Sequence, residues 1–205
     1  MRRSPWIFRL LSMQQRADAL IDRRQYVEAR DLLLQALGEA QRRGVESAHL
    51  RWLLVFALDG AGDERGALVE LEKAIALDPL ARRFHDTLDQ FTAGLRRELA
   101  DPEIPPDDPR VPIRYDLLLR CGAADAPSHL AMARYCERTG DLARARRLLD
   151  SIVALDPFDH GAWALLESVA RSQGDEELAK RAAVEAAATR VRPPVPFAIA
   201  GTAEC

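Results

Sequence analysis

Two stretches, Gly140-Asp141-Leu142-Ala143-Arg144-Ala145 and Gly174-Asp175-Glu176-Glu177-Leu178-Ala179, share the pattern Gly-Asp-x-x-x-Ala. Gly62-Asp63-Glu64-Arg65-Gly66-Ala67 is a third copy. A second landmark keeps the same register. Ala76-Leu77-Asp78-Pro79 recurs as Ala154-Leu155-Asp156-Pro157, and each copy starts at the same distance from its own turn glycine, Gly62 or Gly140. Glycine suits the left-handed conformation that ends a helix, and the following aspartate caps the next one. The alanine lets two antiparallel helices approach closely. Proline disfavours helical geometry in the residue before it, so Asp-Pro ends the second helix. Each unit therefore reads as helix, tight turn, helix, stop.

Composition agrees with that unit. The chain has 205 residues, with 34 Ala and 29 Leu supplying most of its apolar content. Those residues head the helix propensity scale, whereas strand-favouring Val, Ile and Thr are scattered, so an all-α fold is expected. Cys121, Cys136 and Cys205 are odd in number, widely spaced and without a C-x-x-C pair, which excludes a disulfide scaffold. The net charge of -3 supplies no basic field for phosphates, so no nucleic-acid partner is expected.

The repeats resemble the tetratricopeptide repeat family, whose 34-residue unit carries a Trp, small residues at the helix contact and a closing Pro. The interval from Gly140 to Gly174 equals one such unit. The matches are Trp163 and Leu166; Ala29, Ala67, Ala145 and Ala179; Leu33, Leu71 and Leu149; Ala36, Ala74 and Ala186; and Pro79 and Pro157. Trp52 lies one place beyond the usual Trp, Ile152 replaces the second Ala of its unit, and Val191 replaces the last Pro. The first unit fits more loosely, with Arg24-Gln25-Tyr26-Val27-Glu28-Ala29 at its turn. The resemblance implies a right-handed α-solenoid over 1–192, with units near 10–43, 48–81, 82–125, 126–159 and 160–192 and a tail at 193–205.

The middle unit is degenerate. The interval from Gly62 to Gly140 exceeds two family repeat lengths by about ten residues, leaving room for a unit with an insertion. Its first helix is expected near 81–99, where Phe84, Leu88, Phe91, Leu95 and Leu99 form an apolar stripe, and its second near 113–121. Between them, 101–112 holds five of the twelve prolines and four acidic residues, which excludes a regular helix or interior strand. A stiff solvated loop is the expectation; a polyproline-type ligand and a domain linker are the alternatives.

No catalytic or cofactor motif is present. His49, His85, His129 and His160 have no metal-ligand spacing among themselves or with the cysteines, and read as surface or helix-start residues. Neither a glycine-rich nucleotide loop nor a Gly-x-Ser-x-Gly elbow occurs. A non-enzyme without cofactor or metal is expected.

The resemblance implies a concave surface lined by the first helix of each unit, holding a protein or peptide segment. Its partner-binding residues would be Gln14, Asp18, His49, Trp52 and Phe56 in the N-terminal half, which is aromatic and acidic. Arg134, Arg138 and Arg171 would form a more basic C-terminal half. Trp52 and Phe56 lie one turn apart on a segment, Leu50 to Leu58, that is apolar almost all round, so it is buried on more than one side. The pair reads either as an aromatic anchor or as packing on the neighbouring unit. The arginines read as acceptors for an acidic ligand or as a solvated face paired internally, for instance with Glu137. A subset of the family clamps chaperone C-termini with Lys and Asn; Gln14, Asp18, Trp52 and Phe56 at those helices do not supply that clamp.

The ends add little. Arg9 interrupts the apolar run at Trp6-Ile7-Phe8, no cleavage site follows, and no run approaches a membrane span, so a cytoplasmic location is expected. Ser4-Pro5 reads as a helix start. The tail leaves helical register at Pro193, and Cys205, being last, is not a prenylation site. Self-association and a membrane-proximal scaffold using Trp6, Ile7 and Phe8 are the alternatives to an adaptor.

Overall fold

The aspartate that follows each turn glycine caps the next helix. Asp63, Asp141 and Asp175 accept a hydrogen bond from the backbone N–H three residues on, at 2.9, 3.1 and 3.1 Å. The preceding Gly62, Gly140 and Gly174 hold φ at +84°, +86° and +75°, a region that costs a residue with a Cβ about 1–2 kcal/mol. Each pair thus closes one helix and opens the next within two residues.

The computed structural model describes residues 5–190; Ser4, Val191, the tail at 193–205 and Cys205 lie outside them. The described residues form ten α-helices and no strand. The chain divides into two compact units, Met1–Leu95 and Arg96–Cys205. The first holds α1 (Pro5–Asp22), α2 (Tyr26–Gln41), α3 (Ala48–Gly60), α4 (Glu64–Leu77) and most of α5 (Arg82–Leu99). The second holds the end of α5, α6 (Arg110–Arg120), α7 (Ala126–Thr139), α8 (Leu142–Leu155), α9 (His160–Gln173) and α10 (Glu176–Arg190). In the first unit α1 packs on α2, α2 on α3 and α3 on α4; in the second, successive helices from α6 to α10 pack in order. The first helices of consecutive hairpins also touch, α1 with α3 and α7 with α9, which sets their outward faces side by side.

The repeat residues occupy equivalent seams. Ala29, Ala67 and Ala145 are fully buried at the hairpin contacts, and Ala179 nearly so. Leu33, Leu71 and Leu149 are also fully buried one turn further along, and Ile152 is buried where its unit departs from alanine. The stop has a fastening that the sequence did not suggest. The Trp163 indole N–H donates to the Pro157 carbonyl at 2.8 Å, and the His85 Nε2 lies 2.8 Å from the Pro79 carbonyl. His85 and Trp163 stand at the same distance beyond their own Asp-Pro stops, so this histidine holds the tryptophan's place in the degenerate unit.

Two local departures have physical reasons. Helix α6 begins at Arg110, inside the stretch 101–112 expected to exclude helix, because Pro112 falls in the first turn, where its missing N–H would lack an intrahelical partner anyway. The first hairpin keeps the glycine turn without a glycine: Arg24 adopts φ +59°, and Gln25 N–H donates to the Leu20 carbonyl at 2.9 Å, as Asp63 N–H does to Leu58. Gln25 makes no side-chain cap. At the chain start, the Arg43 guanidinium lies 5.1 Å from the Trp6 ring centre, tying α1 to the end of α2.

Restoring the repeat's own residues should stabilise that turn. Arg24→Gly is expected to gain about 0.5–1 kcal/mol by removing left-handed strain, and Gln25→Asp about 1 kcal/mol by adding the cap. Urea unfolding monitored by circular dichroism checks both; a midpoint at or below wild type contradicts the strain and capping argument.

Candidate functional site

In the first unit α1, α3 and α5 bring most of the expected residues together. Gln14 Nε2 lies 2.9 Å from His49 Nε2. The His49 ring stacks on Trp52 with centres 5.4 Å apart, and Trp52 meets the edge of Phe56 at 5.1 Å. Three residues outside the expected set complete the cluster. Phe84, fully buried, lies 6.2 Å from the Trp52 ring; Thr87 accepts the indole N–H at 2.9 Å; and the Arg83 guanidinium caps both rings, at 5.4 Å from Trp52 and 4.9 Å from Phe84. Thr87 in turn donates to the Arg83 carbonyl at 2.7 Å. Trp52 and Phe56 remain half-buried, with one side on this packing. The signal that locates Thr87 is its separation: Gln14 to His49 and Trp52 to Thr87 are both 35 residues, about one repeat.

Burial sets the electrostatics of the cluster. It holds the His49 imidazole below its ordinary value of 6.5, with the Arg83 charge adding to the effect and Asp18 opposing it. Burial likewise raises the Asp18 carboxyl from 3.8, against the pull of His49 and with the push of Asp22. His49 Nδ1 is buried without a hydrogen-bond partner. On the other side of α3, Arg51 donates to Glu46 at 2.7 Å and to Glu70 at 2.8 Å, a bracing pair of ion contacts away from the aromatic face.

The second unit carries the arginines on α7 and α9. Arg134 and Arg138 are exposed one turn apart on α7, and among the described residues neither has a hydrogen-bond or ion-pair partner. Arg171 pairs with Glu167 at 2.5 Å on its own helix. Glu137 accepts from the Ser168 hydroxyl at 2.5 Å, so it ties α7 to α9 instead of neutralising an arginine.

The remaining chemistry-bearing groups have structural partners. His129 Nδ1 lies 2.7 Å from the Asp125 carbonyl, and His160 Nδ1 lies 2.9 Å from that of Ala186. Burial pushes the Cys136 thiol up, away from thiolate reactivity. Among the described residues no three His, Cys, Asp or Glu side chains are grouped to hold a metal ion.

Residues 126–169 match the family model of the tetratricopeptide repeat. The matched segment takes in α7, α8 and most of α9, the hairpin that holds Arg134 and Arg138 together with the helix that follows. Solved structures similar to this chain include MamA from residue 41 to its end, from Desulfovibrio magneticus RS-1. It is 14% identical, with 88% of this chain and 94% of that chain covered and a TM-score of 0.37. MamA of AMB-1 is 14% identical, with 95% and 99% covered and a TM-score of 0.42. A putative kinesin light chain of Podosopora anserina with nearly identical TPR-like repeats is 17% identical, with 93% and 97% covered and a TM-score of 0.37. Comparison with curated proteins gives no match. The tetratricopeptide family is generally non-catalytic.

The depressed His49 pKa makes the first unit pH-sensitive in a definite direction. Between the folded value and 6.5 the unfolded chain binds the proton more readily, so stability is fully present above pH 6.5 and is lost as pH falls through the folded value. The raised Asp18 works oppositely, favouring the fold below pH 3.8 and losing that contribution as pH rises through its folded value. Replacing His49 by Gln should therefore flatten the decline in unfolding free energy below pH 6.5. An unchanged slope in urea titrations across pH 4.5–7.5 would sink this assignment.

Proposed function

We propose that the chain is a non-catalytic protein-interaction module that holds a partner segment against the first helices of its hairpins. The observation that carries this reading is the pair Arg134 and Arg138, exposed on α7 with no partner among the described residues. Unsatisfied guanidinium forks match carboxylates bidentately, so an acidic protein segment is the complementary ligand. Arg171 on α9 belongs to the expected set but is already paired with Glu167, so it adds less. In the first unit Gln14, Asp18, His49, Trp52 and Phe56 form the corresponding surface, where the half-buried aromatic rings supply apolar contact and Asp18 supplies charge. Trp52 serves the core as well, so its truncation to Ala would cost about 3 kcal/mol and confuse a binding assay. The proposed location is cytoplasmic; no helix among the described residues is long and apolar enough to cross a membrane. No nucleic-acid ligand, cofactor or catalytic step is proposed.

Self-association is the second reading, favoured by Leu80 and Leu155. These leucines flank the two Asp-Pro stops and are 93% and 87% exposed, more than a solvated turn requires.

The double variant Arg134→Glu, Arg138→Glu should lose partners that the wild-type chain captures from lysate at low salt. Helical circular dichroism should be unchanged, because both side chains are exposed. Equal capture by the two chains means that the arginines do not carry binding. Sedimentation over a range of concentrations tests the second reading, which requires an association that Leu80→Ser with Leu155→Ser removes.

A further inference from the structure

The proline-rich stretch between α5 and α6 walls a small pocket in the second unit, and the tetratricopeptide pattern does not account for it. The pocket has a volume of about 140 Å³. An engineered apolar cavity of roughly 150 Å³ accepts benzene, so this space suits one aliphatic side chain. Pro102, Ile104, Pro105 and Pro106 of the stretch line it together with Leu99, Val111 and Ala131. Arg134 and Asp101 are the charged lining groups.

The pocket is built in advance of any ligand. Asp101 accepts from the Glu103 backbone N–H at 2.9 Å, and the Ile104 N–H donates to the Asp101 carbonyl at 3.2 Å. Asp108 N–H donates to the Pro105 carbonyl at 3.0 Å, closing a second turn. The Arg110 guanidinium grips the Asp108 carboxylate at 2.6 Å, and that contact, aided by the Arg110 backbone N–H, holds the Asp108 carboxyl down at about 2. Arg114 on α6 pairs with Glu98 on α5 at 2.5 Å, fixing the helices at the two ends of the stretch. Proline φ is preset, so a wall of three prolines loses little freedom when a ligand arrives.

The rim selects charge. Asp101 keeps its negative charge while it accepts from the Glu103 N–H, but it is outnumbered by Arg134 and Arg138, which stand one turn apart on α7 without a partner among the described residues. Like charges four residues apart on a helix repel, and the helix C-terminus offsets that for Arg138, which lies in the last turn, but not for Arg134. We infer that this pocket receives a bulky aliphatic side chain of a partner peptide whose neighbouring residue places a carboxylate on Arg134. The inference deepens the acidic-segment reading of α7 and rests on it.

The test is titration of the isotope-labelled full chain with the tripeptide acetyl-Leu-Asp-Asp-amide, followed by amide chemical shifts. Saturable shifts at Ile104, Val111, Ala131 and Arg134 are expected. Acetyl-Ala-Asp-Asp-amide should bind about tenfold or more weakly, because it leaves the pocket unfilled. Acetyl-Leu-Asn-Asn-amide should lose roughly two- to fivefold, as should the Arg134→Gln chain with the acidic peptide. Filling the space with Ala131→Phe, or opening its wall with Ile104→Ser, should abolish the leucine preference; the second variant lies in a turn and leaves the helices intact. The inference is overturned if no saturable shift appears, if the alanine peptide binds equally, or if the Ile104→Ser chain keeps the leucine preference. Should those results accompany a loss of partner capture by the Arg134→Glu, Arg138→Glu chain, the acidic-segment reading stands and the pocket alone is discarded.

Discussion

Everything in this chain depends on two antiparallel helices meeting closely enough to exclude water from a shared seam. Alanine at the crossing permits that approach, and leucine one turn along fills the space beside it, as the full burial of Ala67 with Leu71 and of Ala145 with Leu149 shows. A single hairpin still leaves apolar surface on its outer sides, so successive hairpins must pack in series. That requirement explains why α3 is buried on both sides. It packs on α2 and α4, and its remaining aromatic face meets the start of α5.

The same packing limits what the aromatic face can do. Trp52 directs its indole N–H into the fold, where Thr87 receives it, and Arg83 covers the ring. What it leaves for a partner is apolar surface without a free donor. The second unit differs in kind, because Arg134 and Arg138 stand exposed with their hydrogen-bonding capacity unspent. Shape and apolar contact therefore dominate one candidate surface, and charge dominates the other.

How much was legible follows from the range of each interaction. Helix ends were legible because their causes are local: glycine in left-handed geometry, an aspartate cap within three residues, a proline that cannot continue the helix. Arg24 shows the limit of that reading. Its turn has the glycine geometry although its side chain disfavours it, since packing of α1 on α2 outweighs a local cost of about 1–2 kcal/mol. The start of α6 at Arg110 departs from expectation for a related reason: counting prolines ignores that a proline in the first turn displaces no hydrogen bond. Among the expected binding residues, the grouping of Gln14, His49, Trp52 and Phe56 followed from repeat register. Their partners Arg83, Phe84 and Thr87 were missed as parts of that cluster because they sit in the unit whose register the insertion obscured.

The sequence by itself determined the helical class, the hairpin unit, its turns and stops, and which alanines and leucines line the seams. Each of these is decided by residues within about one repeat of one another. Only the tertiary structure decided that Trp52 is tied to Thr87, that His85 stands in for Trp163, that Glu137 bonds Ser168 and leaves Arg134 and Arg138 without it, and that the proline-rich stretch walls a pocket beside Arg134. The physical reason is that these outcomes turn on which side chains from different helices come within hydrogen-bond distance. Local propensity is silent on that, and packing alone sets it.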